Sequence, residues 1–213
     1  MAVTDGLRAR LNRLAPATSA QIGESGFLLA GAAAGAVGWG GTQLLAWLDP
    51  PNSALAATAL WAVLMVAFSG LTVRFAPEAL RFSDPMLVWG AGNSAAMAVT
   101  VAGLSGLVTP RVAFWLSWAG ASTVGYLGTG GLLVRAGTTD RGRSYLATGA
   151  VAFAVLLAGV VVFGAIAPVA FLLLAAVHAA PLVLDARTAL GPLGRAGTLV
   201  AVVTALVGVG LAA

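Results

Sequence analysis

Between residues 144 and 184 the chain carries no Asp, Glu, Lys or Arg. At 1.5 Å per residue a single helix of that length would reach roughly 60 Å, about twice the ~30 Å hydrocarbon core of a bilayer. A stretch so poor in charge cannot cover a water-soluble globule, and as a membrane element it must double back. Residues 164–168, Gly-Ala-Ile-Ala-Pro, are the natural place for that turn.

The rest of the chain follows the same logic. Of 213 residues, 60% are hydrophobic and only 8% charged, whereas a soluble domain carries about 25% charged residues. Seven apolar runs, at 25–48, 52–73, 85–108, 112–134, 144–163, 168–184 and 196–213, are each about the length that crosses a bilayer as a helix. An outer-membrane barrel would instead show alternating segments of ~10 residues. The expected fold class is an all-α integral membrane protein, a seven-transmembrane-helix bundle occupying 25–213 as one domain. Residues 1–24 form a basic arm in which Leu7, Leu11 and Leu14 share one helical face among Arg8, Arg10 and Arg13, and Pro16 ends it. Such a helix suits an anionic cytoplasmic leaflet.

The net charge is +4 and the pI about 11.1, yet all eleven basic residues are arginines set between apolar runs. No basic face is available to nucleic acid. Threaded through seven crossings, the arginines separate. Arg8, Arg10, Arg13, Arg74, Arg81, Arg135, Arg141, Arg143, Arg187 and Arg195 fall on one side, and Arg111 alone on the other. Positive charge stays cytoplasmic, so the expected topology is N-in/C-out in the plasma membrane, multi-pass. Trp47, Trp89 and Trp115 lie near run ends, where indoles anchor at the interface, and Trp39, Trp61 and Trp118 lie deeper, where they pack. The connections leave no room for an extramembrane domain. Partners are then the lipid bilayer itself, with a homo-oligomer or a larger membrane complex as further options.

Polar side chains inside the runs are few. His178, the only histidine, sits near the middle of 168–184, with Pro181 one turn on and Asp185 at the end beside Arg187. An ionisable ring at membrane depth is costly and marks a place to look for function. His178, Asn93, Gln43, Ser117, Tyr126 and Trp118 are the candidates for a ligand site or pathway, although small polar groups also tie helices together. With no cysteine and a single histidine, no metal site is expected. The absence of lysine excludes a retinal Schiff base, and no motif names a cofactor. Gly31 and Gly35, and Ala121 and Gly125, form small-xxx-small pairs suited to close helix contact. The glycines at 128–131 are expected to loosen the end of the fourth run.

Ser122 and His178 lie at similar distances from the ends of runs that cross in the same sense. A Ser–His pair at one depth is the minimum for an intramembrane hydrolase. Gly120-Ala121-Ser122, Tyr126 and His178 together resemble the rhomboid intramembrane proteases, which place a Gly-x-Ser in the fourth span, a Tyr four residues on, and a His in the sixth. The resemblance implies catalytic roles for Ser122 and His178. It departs from the family at Thr123, where a Gly would follow the nucleophile, and between residues 52 and 73, where no His-and-Asn oxyanion pair occurs. Three readings follow: a non-enzymatic protein that holds an apolar ligand or serves as a complex subunit, a small transporter or channel with His178 on the path, and a serine hydrolase. The scarcity of polar residues favours the first.

Overall fold

A computed structural model describes residues 22–187 and 191–212. Among them the protein is all-helical, with no strand. The helices are α1 (Glu24–Leu48), α2 (Ser53–Phe75), the single-turn α3 (Glu78–Arg81), α4 (Asp84–Leu104), α5 (Ser117–Arg135), α6 (Thr139–Val161), the single-turn α7 (Phe163–Ile166), α8 (Ala170–Arg187) and α9 (Pro192–Ala212). A π-helical segment, Val112–Leu116, leads directly into α5, and a 3-10 turn, Ala167–Val169, leads into α8. The basic arm expected over residues 1–24 lies outside the described residues except at its end.

Four helical stretches are long and apolar enough to cross a membrane: Ser53–Phe75, Asp84–Leu104, Thr139–Val161 and Phe163–Arg187. They point to a membrane protein. α1 has 25 residues and α5 has 19, but glycines dilute the hydropathy of both, with Gln43 in α1 and Ser, Thr and Tyr side chains in α5. Length and composition therefore support four crossings among the described residues, whereas the count of seven came from apolar runs and charge.

The helices meet where glycine lets them. A Cβ on Gly31 would touch Leu182 and Phe68, and Gly35 lies directly against the His178 ring, so α1 and α8 pack face to face. Between α5 and α6 the approach is backbone to backbone. A Cβ on Gly130 would fall 2.7 Å from the Leu146 nitrogen, and one on Gly142 would fall 2.9 Å from the Gly130 carbonyl. Close approach of this kind is how helices gain dispersion energy when lipid supplies no hydrophobic force between them. Gly125 makes room for Trp89 of α4, and Gly92 sits opposite Ala121.

Three expectations need correction. The chain turns back at Val162, between α6 and α7, ahead of residues 164–168, and Pro168 sits inside the 3-10 turn. α6 begins at Thr139, ahead of residue 144, which takes Arg141 and Arg143 into the helix. The glycines at 128–131 do not loosen α5, which runs on to Arg135 and ends in a Schellman arrangement, Thr138 N–H to the Leu133 carbonyl and Gly137 N–H to Val134. Gly137 takes φ 85°, which glycine adopts without strain.

The tryptophans also sort differently. Trp47 is exposed and donates to the Pro168 carbonyl at 2.8 Å. Trp115, expected at an interface, is buried against Gly159, and Trp89 points into the bundle and donates to Thr129 at 3.1 Å. Each fills the gap that a facing glycine leaves. Trp39, Trp61 and Trp118 form one cluster, with centroids 4.3, 5.1 and 5.4 Å apart. Trp61 donates to Thr42 at 3.1 Å and Trp118 to Thr100 at 2.9 Å.

Contacts collect at two poles. At one, Ile22 bonds the Phe75 carbonyl, and Glu24, Arg141, Asp185 and Arg195 form a connected ionic group. At the other, Trp47 meets Pro168, and Arg111 reaches the carbonyls of Gly159 and Val160 at the end of α6, its guanidinium over the Phe163 ring. A cation there suits the negative end of a helix.

Candidate functional site

A cavity of about 190 Å³ opens from the Glu24–Arg141 pole into the bundle. Its walls are largely apolar, with Phe27, Leu64, Met65 and Phe68 from α1 and α2, and Met86 and Trp89 from α4. Trp61 lines its depth, and behind Trp61 stand Trp39 and Trp118, both buried. Two of the candidate polar residues, Asn93 and His178, line this one cavity. Asn93 is half-buried, and its amide has no hydrogen-bond partner among the described residues. The half-buried His178 ring lies against Gly35 of α1 and stands edge-on to Trp89, centroids 5.7 Å apart. A neutral imidazole offers one donor and one acceptor nitrogen.

The remaining candidates lie elsewhere. Gln43 is buried toward the opposite pole, where its Oε1 accepts the Phe171 N–H at 2.9 Å and so caps the start of α8. Ser117 donates to the Ala113 carbonyl at 2.7 Å, across the π turn. Trp118 belongs to the aromatic cluster. The Tyr126 hydroxyl donates to the His178 carbonyl at 2.8 Å. Ser122 is buried but makes no hydrogen bond to His178, whose ring turns to Gly35 and Trp89. The hydroxyl–imidazole contact that a serine nucleophile requires is therefore not formed.

A second cavity, about 230 Å³, lies at the opposite pole between Thr42, Ala57, Arg111, Trp115, Phe163 and Phe171 among others. The Trp61 indole stands between the two spaces: its ring faces the first, and its Nε1 donates to Thr42 in the wall of the second.

An ionic cluster at the mouth of the first cavity was not legible beforehand. Asp185, at the end of its run beside Arg187, is only 7% exposed and does not pair with Arg187. Instead it accepts from Arg141 and Tyr145, both at 2.8 Å, and from Arg195 at 2.8 Å. Arg141 also pairs with Glu24. One carboxylate so ties α6, α8 and α9, and through Arg141 it reaches α1. The i, i+4 spacing of Arg141 and Tyr145 was the available signal, hidden by starting that helix at residue 144. Among the described residues no group of three or more His, Cys, Asp or Glu side chains is placed to hold a metal.

No protein-family model matches the chain, and no curated protein or solved structure matches it either.

Proposed function

We propose that this protein is a multi-pass plasma-membrane protein that holds a small, mainly apolar ligand between its helices, without catalysis. The observation that carries the reading is the cavity lined by Phe27, Met65, Phe68 and Trp89, with Asn93 and His178 as polar points in its wall. A concave apolar site with a few convergent polar groups is the usual form of a small-molecule site. In this reading α1, α2, α4, α5, α6, α8 and α9 cross the bilayer, with the Glu24–Asp185 pole cytoplasmic. Support comes from the arginines of the described residues: Arg74, Arg81, Arg135, Arg141, Arg143, Arg187 and Arg195 flank that pole in sequence, and Arg111 the other. Lipid is the expected source of the ligand, and further copies or subunits are open to the lipid-facing surfaces.

The test is native mass spectrometry of protein purified in mild detergent, with an absorbance spectrum and solvent extraction of the same sample. A retained small amphiphile is expected. A mass equal to the 21.1 kDa chain, together with no uptake of any apolar probe, overturns the reading.

A second reading, passage across the membrane, draws on one observation: two cavities at opposite poles separated by the Trp39–Trp61–Trp118 cluster. It requires Trp61→Ala to raise solute flux into proteoliposomes. Unchanged flux removes it.

A further inference from the structure

Within the ligand-holding reading, on which this inference rests, we infer that the cavity takes an amphiphile with an uncharged, hydroxyl- or carbonyl-bearing headgroup, inserted head-first against Asn93 and His178. Its tail would lie along Phe27, Met65 and Phe68.

Two features set the character of the head. The first is the state of the charges. Glu24, Arg141, Asp185 and Arg195 sum to zero and are already bonded to one another. An anion at the mouth would have to displace Glu24 or Asp185 from Arg141, and a cation would have to displace an arginine. Deeper in, the cavity offers no formal charge of either sign, so a charged head would be stranded in low dielectric. The second is the state of the deep polar groups. Asn93 lies ten residues along from Ser83, roughly 15 Å into the bundle. Its unpaired amide faces a space walled by indole and phenyl rings. An amide without a partner in an apolar setting is costly. An oxygen on the ligand would accept from the Asn93 amide, and a hydroxyl could also donate to the acceptor nitrogen of a neutral His178 ring. Trp61 and Trp89 present their rings to the same space and would cover the head. The volume of about 190 Å³ is below the usual 300–1,000 Å³ of drug-sized sites, which fits one slim chain better than a two-chain lipid.

The test uses the full chain in nanodiscs and three probes with the same tail, brominated at mid-chain within reach of the indoles that cover the head: 6-bromoundecanol, 6-bromoundecanoate and 6-bromoundecyl-trimethylammonium. The bromine quenches tryptophan fluorescence from the cavity wall. The alcohol is expected to bind most tightly. Asn93→Leu, which keeps the bulk and removes the hydrogen bonds, should weaken the alcohol roughly tenfold. Asn93→Ser, which restores a hydroxyl, should recover most of that loss, and so separates hydrogen bonding from misfolding. Tighter binding of the carboxylate or the ammonium probe overturns the inference, as does an alcohol affinity that Asn93→Leu leaves unchanged. In both of those cases a ligand site still stands. If no probe binds saturably, the ligand-holding reading falls with it.

Discussion

The hydroxyl of Tyr126 donates to the backbone carbonyl of His178 at 2.8 Å, one turn ahead of Pro181. Proline has no N–H to return to the Val177 carbonyl four residues back, and its ring crowds that turn, in which the His178 carbonyl is the next along. In lipid such loosened backbone groups need a partner from a neighbouring helix. Tyr126, fully buried on α5, bonds this turn from a neighbouring helix and so fixes the rotation of α8, whose His178 ring faces Gly35 and the cavity. Tyr126→Phe is expected to lower stability by about 1 kcal/mol and to shift ligand affinity without altering the cavity walls. Thermal unfolding in detergent measures the first effect, and an unchanged midpoint would show the bond to be idle.

At the pole below, the order of substitution effects should follow burial. Asp185→Asn leaves Arg141 and Arg195 facing a neutral amide. Breaking a buried pair in this way costs about 3–5 kcal/mol. The 33% exposure of Arg141 places the expected loss toward the low end of that range. Glu24→Gln removes a partner that is 46% exposed, and exposed pairs contribute about 0–1 kcal/mol. Unfolding of the two variants side by side checks the order, and equal losses would contradict a network centred on Asp185.

Neighbouring glycines on α5 offer a sharper contrast. A methyl on Gly130 would meet the backbone of Leu146 at 2.7 Å, whereas one on Gly131 would meet nothing within 4 Å. Gly130→Ala should therefore cost about 1–3 kcal/mol by forcing α5 and α6 apart. Gly131→Ala should be neutral or slightly stabilising, since alanine restrains the unfolded chain more than glycine does. Thermal melts of both variants decide this, and a Gly130→Ala protein as stable as wild type would mean the two backbones are not in contact.

The proposed topology makes its own demand. Reporter tags at Asp140 and Pro50 are expected in opposite compartments, with Asp140 cytoplasmic. Recovery of both tags from the same compartment would remove the seven-crossing reading and the orientation of the cavity with it.

Helical class, the presence of membrane-length elements and the rarity of charge within them were readable in the residues, because apolar length and local charge are properties of neighbours along the chain. Counting residues from the ends of their runs gives Ser122 and His178 similar expected depths. What depth cannot say is which group bridges the gap. The His178 carbonyl met the Tyr126 phenol, and its ring turned to Gly35 of α1 and Trp89 of α4.

The partner of Asp185 was likewise beyond reach. Arg187 is two residues away, but on a helix that spacing points elsewhere, and the carboxylate met Arg141 and Arg195 on other helices. The cavity was not written anywhere in one segment, since it is the space left when Gly31, Gly35 and Gly125 bring four helices close and the rings of Trp61, Phe68 and Trp89 hold them apart. The sequence by itself determined the helical class and the presence of apolar elements long enough to cross a membrane. Only the tertiary structure decided which faces turned inward, because that depends on how side-chain volumes from distant parts of the chain fit against one another.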